Sequence, residues 1–516
     1  MSAQQESPGP TPQSPGSRGL RAGVVAACIA VLVAFSANDS WLLPALDADG
    51  VAWTRAAQAL AAGKAPILPV GPWFGTSPTS ELASRGAVVP RLLAAVMDTG
   101  VRVRVAGLWF AVASLGALAL AMGWVAGGAA GTVGGLLAAL LLVASPLGSE
   151  VATVLGVDAL LAALVVGQLG VAAYRPRQAL LPGLLAAAAW ALSPVGLGAV
   201  AAVLVWPWVP RLGAGDWPGG PAGPPVPPKR SRRALVSATP ALLLLGLGPV
   251  FSWLPSPRPG RVGGMGAVLD GERVFPVPSL WEALALGLLA VGVLGAIVEA
   301  RATRPVLSAL RWDHPRAPDL VAARLRSAAW PMALALLLAT AAAGEGGGDL
   351  SRPWLPFLAV LATGVGAAAV RWVRRPTGWT RWGVAAAVGL WLCAGAGGAW
   401  MEAKEAQAEG RGLTSEVWLE SEVVRWLDNQ LPQGTPVYAS QPFGVVVQTG
   451  LAAFTLPPPD AALAEFGAAF QARPGAIVLT GPDTLRAPRF EQELDATPLV
   501  RDGLGVLLVP PVWTRP

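Results

Sequence analysis

The chain is 516 residues long, 53% hydrophobic and only 13% charged, with a mean hydropathy of +0.53. Soluble proteins carry charge on about a quarter of their residues, so this composition excludes a soluble globular protein and points to a polytopic membrane protein. The net charge of +6 is not a nucleic-acid signal, because the arginines lie mostly in short loops between apolar runs, where they set orientation.

Cysteine and histidine usage narrows the chemistry further. The 2 cysteines, Cys28 and Cys393, fall inside apolar segments, and the single histidine, His314, sits in the basic stretch RWDHPRAPD. No disulfide framework, thiolate site or zinc site follows from that set.

Residues 1–17 are rich in Ser, Pro, Gly and Gln and are expected to be disordered. Arg18 and Arg21 precede the apolar run 22–35, which has the look of a signal peptide. Because many apolar runs follow, it is read as an uncleaved first span with its N-terminus in the cytoplasm. Residues 36–100 then form an external loop.

Within that loop, residues 47–63 (DADGVAWTRAAQALAAG) are polar at one end and helical in pattern. Asp49, Trp53, Ala56, Leu60 and Gly63 share one face of a short helix that Gly63 can end. Asp47 and Asp49 stand where the helix begins, near the positive end of its dipole. A carboxylate there is either a catalytic base at the membrane surface or a helix N-cap. A second amphipathic helix is expected near residues 86–97, after a Pro/Gly-rich link through Gly71, Pro72 and Trp73.

Further apolar runs cover residues 105–125, 132–144 and 151–173. The glycine cluster 127–135 between the first two reads as a tight turn with close packing. It lacks the Lys-Ser/Thr of a phosphate-cradling loop. Asp158 falls inside the third run, where an acid is a functional candidate or bonds a neighbouring helix. Residues 180–209 are too long for one span, and Ser193-Pro194 divides them into two short helices that enter and return. Spans at 234–254, 280–299, 328–343, 354–370 and 382–400 follow, with external loops at 255–279 and 344–353. The sum is about eleven spans of roughly 15–25 residues. An odd number places the C-terminal tail outside, in agreement with the arginine-rich loops.

Residues 401–516 differ in composition. An amphipathic helix is expected at 416–431, strands at 436–439, 476–480 and 505–509, and a helix at 460–472. Alternating strand and helix predict a small soluble α/β domain on the outer face. The fold class is therefore a polytopic α-helical membrane domain (residues 18–400) with a soluble α/β tail.

The remaining chemistry-bearing groups are external acids and bases: Asp47, Asp49, Glu81, Arg85, Asp270, Glu272, Glu345, Asp349 and Arg352. Facing a membrane cavity they could bind a phosphate and activate a hydroxyl; singly, most read as solvated loop charge.

At this point the arrangement resembles a family. The pattern Asp49-Gly-x-x-Trp53-x-x-x-Ala57-x-x-Leu60-x-x-Gly63 is similar to the first external loop of GT-C superfamily glycosyltransferases, which include the protein O-mannosyltransferases and the lipid A aminoarabinose transferases. Residues 136–146 with their Ser-Pro end, Asp158, the Ser193-Pro194 break, and Arg352-Pro-Trp-Leu-Pro-Phe-Leu at the start of a late span agree in order. The family's second acid is Gly50 here and its tyrosine is Trp53, which leaves two alternatives: Asp47 replaces the missing acid, or the site has lost its chemistry.

The resemblance implies an inverting glycosyltransferase, multi-pass in the inner (plasma) membrane. It would move a sugar from a polyprenyl-phosphate donor to a lipid, glycan or protein acceptor on the outer face. It makes Asp49 the general base, with Asp47 beside it, and Arg352 the partner of the donor phosphate. Trp53, Asp158 and Asp349 would line the cavity. A divalent cation is compatible with these acids but not demanded by them, and no other cofactor is implied. The alternatives are a non-catalytic GT-C-like protein that binds a lipid carrier or a partner, and a transporter. A transporter predicts inverted repeats and polar residues along several spans, and the sequence shows neither.

Overall fold

The computed structural model describes residues 15–37, 48–205, 355–409 and 413–513, with short interruptions, and a few isolated positions between 206 and 354. The spans expected at 234–254, 280–299 and 328–343 lie largely outside the described residues. In chain order the first elements are helix α1 (Pro15–Ala37), helix α2 (Ala48–Ala61), and three two-residue strands, β1 (Ile67–Leu68), β2 (Val70–Gly71) and β3 (Ser80–Glu81). Helices α3 (Val88–Met97), α4 (Val103–Val143), α5 (Pro146–Thr153), α6 (Asp158–Tyr174), α7 (Leu180–Leu192) and α8 (Leu197–Val205) follow. Helices α9 (Leu355–Val373) and α10 (Gly378–Glu409) lead to the tail. There α11 (Glu416–Leu419), α12 (Glu422–Gln430), β4 (Val437–Ala439), α13 (Pro442–Thr449), β5 (Ala453–Thr455), α14 (Leu463–Ala472), β6 (Ala476–Thr480), α15 (Ala487–Leu494), β7 (Thr497–Arg501) and β8 (Gly505–Val509) alternate.

The chain divides into two compact units. One comprises Met1–Ala37, Val112–Ala152 and Val157–Glu402; the other comprises Asn38–Ala111, Thr153–Gly156 and Ala403–Pro516.

In the first unit, α1 is inverted relative to a water-soluble helix. It buries Gly19, Ala22, Gly23, Ala26, Ala30 and Ala34 and exposes Leu20, Val24, Val25, Leu32 and Phe35. Large apolar groups turned outward and small ones turned inward suit a lipid surround, where close backbone approach drives helix association. The fit is tight: a side chain at Gly123 or Gly127 of α4 would run into Ala22 and its glycine neighbours on α1. Among the described residues, Ser17–Phe35 and Val105–Val143 are long and apolar enough to cross a membrane, and α6, α7 and Leu355–Val370 are shorter apolar helices.

One expected boundary holds and another shifts. The runs 105–125 and 132–144 are two helices that meet at Gly131 within the range given as α4, and the glycine cluster expected as a tight turn with close packing is where they join. Gly131 alone leaves helical geometry, at φ 81 and ψ −179, a conformation open to a residue without Cβ. Its neighbours are helical on either side, and the second arm doubles back on the first, since a Cβ at Gly135 would meet Gly123 O and Gly127 Cα. Conversely, the span expected over 151–173 is broken. α5 ends at Thr153, residues 154–157 are not helical, and α6 starts at Asp158. Asp158 therefore opens a helix rather than lying inside one.

The Ser-Pro signals act as local chemistry dictates. The Ser145 hydroxyl donates to Leu142 O at 2.5 Å and accepts from Gly148 N–H at 3.2 Å, while Pro146 takes the first helical position of α5. Ser193-Pro194 separates α7 from α8 through a 3₁₀ turn at Pro194–Gly196.

The second unit is built on a six-stranded sheet in the order β2-β5-β4-β6-β8-β7. β2, β5, β4 and β6 run parallel, and β8 and β7 are antiparallel to their neighbours. The central strands VYA, AIVLT and GVLLV are buried throughout, as strands covered on both faces are. Alternate residues separate into two cores. Tyr438, Phe454, Ile477 and Leu508 meet Phe466 and Phe470 of α14 and Phe490 of α15 on one face. Val437, Val478 and Leu507 meet Val423 and Leu427 of α12 and Val445 of α13 on the other.

The helix expected at 416–431 is divided at Ser421, which caps α12 by accepting from Val424 N–H. Asp502 reinforces that cap from the β7–β8 turn. Its carboxylate accepts from Ser421 Oγ at 2.7 Å, Val423 N–H at 3.2 Å, Leu504 N–H at 2.9 Å and Gly505 N–H at 3.0 Å. Burial alone would raise its pKa, but these donors together hold it below the usual carboxylate value. The sheet's first strand, β2, comes from residues that the sequence reading places in the external loop.

Candidate functional site

The candidate site is built on α2, in the second unit. Asp49 lies in the first turn of this helix, at the positive end of its dipole. Behind it Gly50, Val51, Ala52, Trp53, Thr54, Ala56 and Ala57 are buried, while Arg55, Gln58 and Ala61 are exposed. Thr54 turns its hydroxyl back to Val51 O at 3.0 Å. The helix stops as its sequence predicts. Gly63 at φ 68 donates to Leu60 O at 2.9 Å and Lys64 N–H donates to Ala59 O at 2.8 Å, the paired bonds of a Schellman cap.

Beyond the cap, β1 pairs with β3 and β2 pairs with β5. Pro72 ends the β2 pairing, since it has no N–H to give. A turn closed by Gly75 N–H on Pro72 O, at 2.8 Å, presents Gly75 O to Arg473, whose Nη2 donates to it at 2.6 Å. Trp73 meets Phe466 edge-on, with ring centroids 5.9 Å apart. The Arg473 guanidinium stands 5.2 Å from the centre of the Phe454 ring. The Arg473 backbone carbonyl accepts the Tyr438 hydroxyl at 3.1 Å. Burial pushes the Tyr438 pKa up, against the opposing pull of the Arg473 charge.

Of the residues predicted for the site, Asp49 and Trp53 share α2, and Trp53 is buried at 5% exposure, within the packing of the helix. Asp158 is half-buried in the first turn of α6 and belongs to the other unit. Asp47, Asp349 and Arg352 lie outside the described residues. Among the described residues no group of three or more His, Cys, Asp or Glu side chains is placed to hold a metal ion. Sequence reasoning missed Arg473. Its partner Gly75 is 398 positions away, and no local pattern marks such a pair.

Comparison with solved structures shows the class of fold first: the chain shares the fold of solved glycosyltransferases that are polytopic membrane proteins. No protein-family model matches the sequence, and no curated protein matches it. The solved structures it is similar to include the Archaeoglobus fulgidus oligosaccharyltransferase in complex with Zn and sulfate. That similarity is 13% in identity with a TM-score of 0.55, over 95% of this chain and 74% of that one. The arabinofuranosyltransferase AftD from Mycobacteria is 14% identical with a TM-score of 0.50, over 93% of this chain. This chain spans only 37% of the length of AftD. ArnT from Cupriavidus metallidurans, 15% identical, aligns over 94% of this chain and 97% of its own at a TM-score of 0.49, a likeness that adds nothing to the assignment of the fold.

Proposed function

We propose that this chain is a membrane glycosyltransferase that moves a sugar from a polyprenyl-phosphate donor to an acceptor on the outer face of the plasma membrane. One observation carries the reading: a GT-C fold over nearly the whole chain, with Asp49 in the first turn of the helix that follows the first apolar helix. The Archaeoglobus enzyme AglB is seen in complex with an inhibitory peptide and a dolichol-phosphate, at a TM-score of 0.51. In another structure the same organism's oligosaccharyltransferase is tethered to an acceptor peptide. The proposal carries that pairing of lipid phosphate and acceptor over to this chain.

In this reading an acceptor hydroxyl oxygen attacks the anomeric carbon and Asp49 takes its proton. The bond from that carbon to the phosphate oxygen breaks, and the polyprenyl phosphate leaves with the electron pair, so the anomeric centre inverts. Arg352 holds the phosphate through charge-assisted hydrogen bonds, and Asp47 supplies the second carboxylate that Gly50 cannot. Asp158 and Asp349 are assigned to the cavity wall. Trp53, being buried, supports α2 from behind. The N-terminus is cytoplasmic and the tail external.

A second reading is favoured by Gly50 standing where the family has an acid: a non-catalytic protein that binds the lipid carrier. Purified full-length protein, given labelled polyprenyl-phosphate sugars with lipid, glycan or peptide acceptors, separates the two. Acceptor-dependent release of polyprenyl phosphate supports the enzyme, with Arg352→Ala weakening donor binding. Donor binding without release supports the second reading, and neither binding nor release overturns both.

A further inference from the structure

The loop that follows α2 is a working part of the α/β sheet rather than a cover lying over it. Its strand β2 has only two residues, and each backbone hydrogen bond contributes about 0.5–1.5 kcal/mol net, so the ladder alone is a weak fastening. Trp73 against Phe466 and Arg473 on Gly75 O supply the rest. The helix itself packs on α3, β1 and α13. Arg473 is a stiff anchor for this purpose, because its guanidinium lies over Phe454 while its own carbonyl is held by Tyr438.

We infer that Arg473 is a positioning residue that, with β2, fastens the Gly63 end of α2 to the sheet and so sets where its Asp49 end stands. The inference rests on the proposed role of Asp49. Leverage explains why the fastening matters. A 14-residue helix is about 21 Å long, so a tilt of about 3° moves its far end by about 1 Å. A misplacement of about 1 Å costs on the order of 10²-fold in rate. The tail then acts on the reaction without touching the reacting atoms.

The test uses full-length protein with Arg473→Met, which keeps an apolar stem near Phe454 and removes the donor to Gly75 O. Hydrogen exchange should rise about tenfold or more in α2 and β2, the loss expected for one charged hydrogen bond, and stay unchanged in β4 and β6. With a donor that turns over, kcat should fall about ten- to a hundredfold with KM for the donor unchanged. In a Cys28→Ser, Cys393→Ser background, Val70→Cys and Ala453→Cys occupy register partners, within disulfide reach. Oxidation of that pair should restore both protection and kcat to the Arg473→Met protein. Unchanged exchange in α2, or a disulfide that forms and restores neither, overturns the inference. If the wild type turns over no donor, the role of Asp49 falls, and the exchange result alone decides whether Arg473 holds α2.

Discussion

The two units are held together by opposite means. Among the apolar helices close approach depends on the smallest residues: Gly19, Ala22 and Gly23 of α1 against Gly123 and Gly127 of α4. In the α/β unit the largest side chains are innermost. Tyr438, Phe454, Phe466 and Phe490 are each at most 2% exposed. Tyr438 lies against Phe454 and edge-on to Phe466, at centroid separations of 5.2 and 5.3 Å. Apolar burial from water contributes about 25 cal/mol per Å², whereas helices surrounded by lipid gain nothing from burying carbon and must rely on contact. One unit therefore fails by acquiring a methyl group and the other by losing several.

Phe466→Ala should have the larger effect. It empties the centre of the aromatic cluster and removes the wall under Trp73, and a large aromatic truncated in a core costs about 3–5 kcal/mol. Hydrogen exchange across β4 and β6 would report it, with α1 and α4 unchanged. An equal response in the apolar helices would break the contrast between the units.

Gly128→Ala is the reciprocal change and should cost less, about 1–3 kcal/mol. The Tyr174 ring stacks on Trp124 at 5.1 Å, and its hydroxyl lies 3.0 Å from both Trp124 O and Val125 O. A Cβ at position 128 would occupy the place of that hydroxyl. A lower melting temperature in detergent is expected, recovered in part by adding Tyr174→Phe. A neutral Gly128→Ala would mean that the α4–α6 seam has room for a methyl group.

Asp502 gives the smallest effect and the one that depends on pH. Its pKa is lowered on folding, so its contribution is complete above the unfolded carboxylate value, about 3.9. It is lost as pH falls through the lower folded value. Asp502→Asn should cost about 1–2 kcal/mol at neutral pH, as loss of a helix cap does, and should flatten the acid limb of the stability curve of the α/β unit. An unchanged acid limb would remove Asp502 from the account.

Much of this was legible in the residues where the cause is local. The period and Gly63 gave α2, the Ser-Pro pairs gave the boundaries at 145 and 193, and unbroken apolar runs gave β4, β6 and β8. What failed was non-local. The glycine cluster marked its own turn, but not that α1 and Tyr174 press against it. A two-residue strand carries no pattern, so β2 became visible only beside β5. The break before Asp158 was missed because residues 151–157 carry neither a charge nor a proline, and hydropathy cannot distinguish a helix from an unwound segment packed among neighbours. For the site, Asp49 was read from the start of a helix, whereas Arg473 depended on a contact that only the fold creates.

The central claim is that Asp49 is the base in a sugar transfer. Asp49→Asn preserves size and can still cap α2, so the protein should accumulate and melt as the wild type does. Acceptor-dependent transfer from a polyprenyl-phosphate sugar, measured on equal amounts of purified protein, should then fall by about 10²–10⁴-fold. Undiminished transfer by Asp49→Asn, beside a wild type that transfers sugar, would contradict the account, and loss in Asp47→Asn instead would move the base two residues upstream.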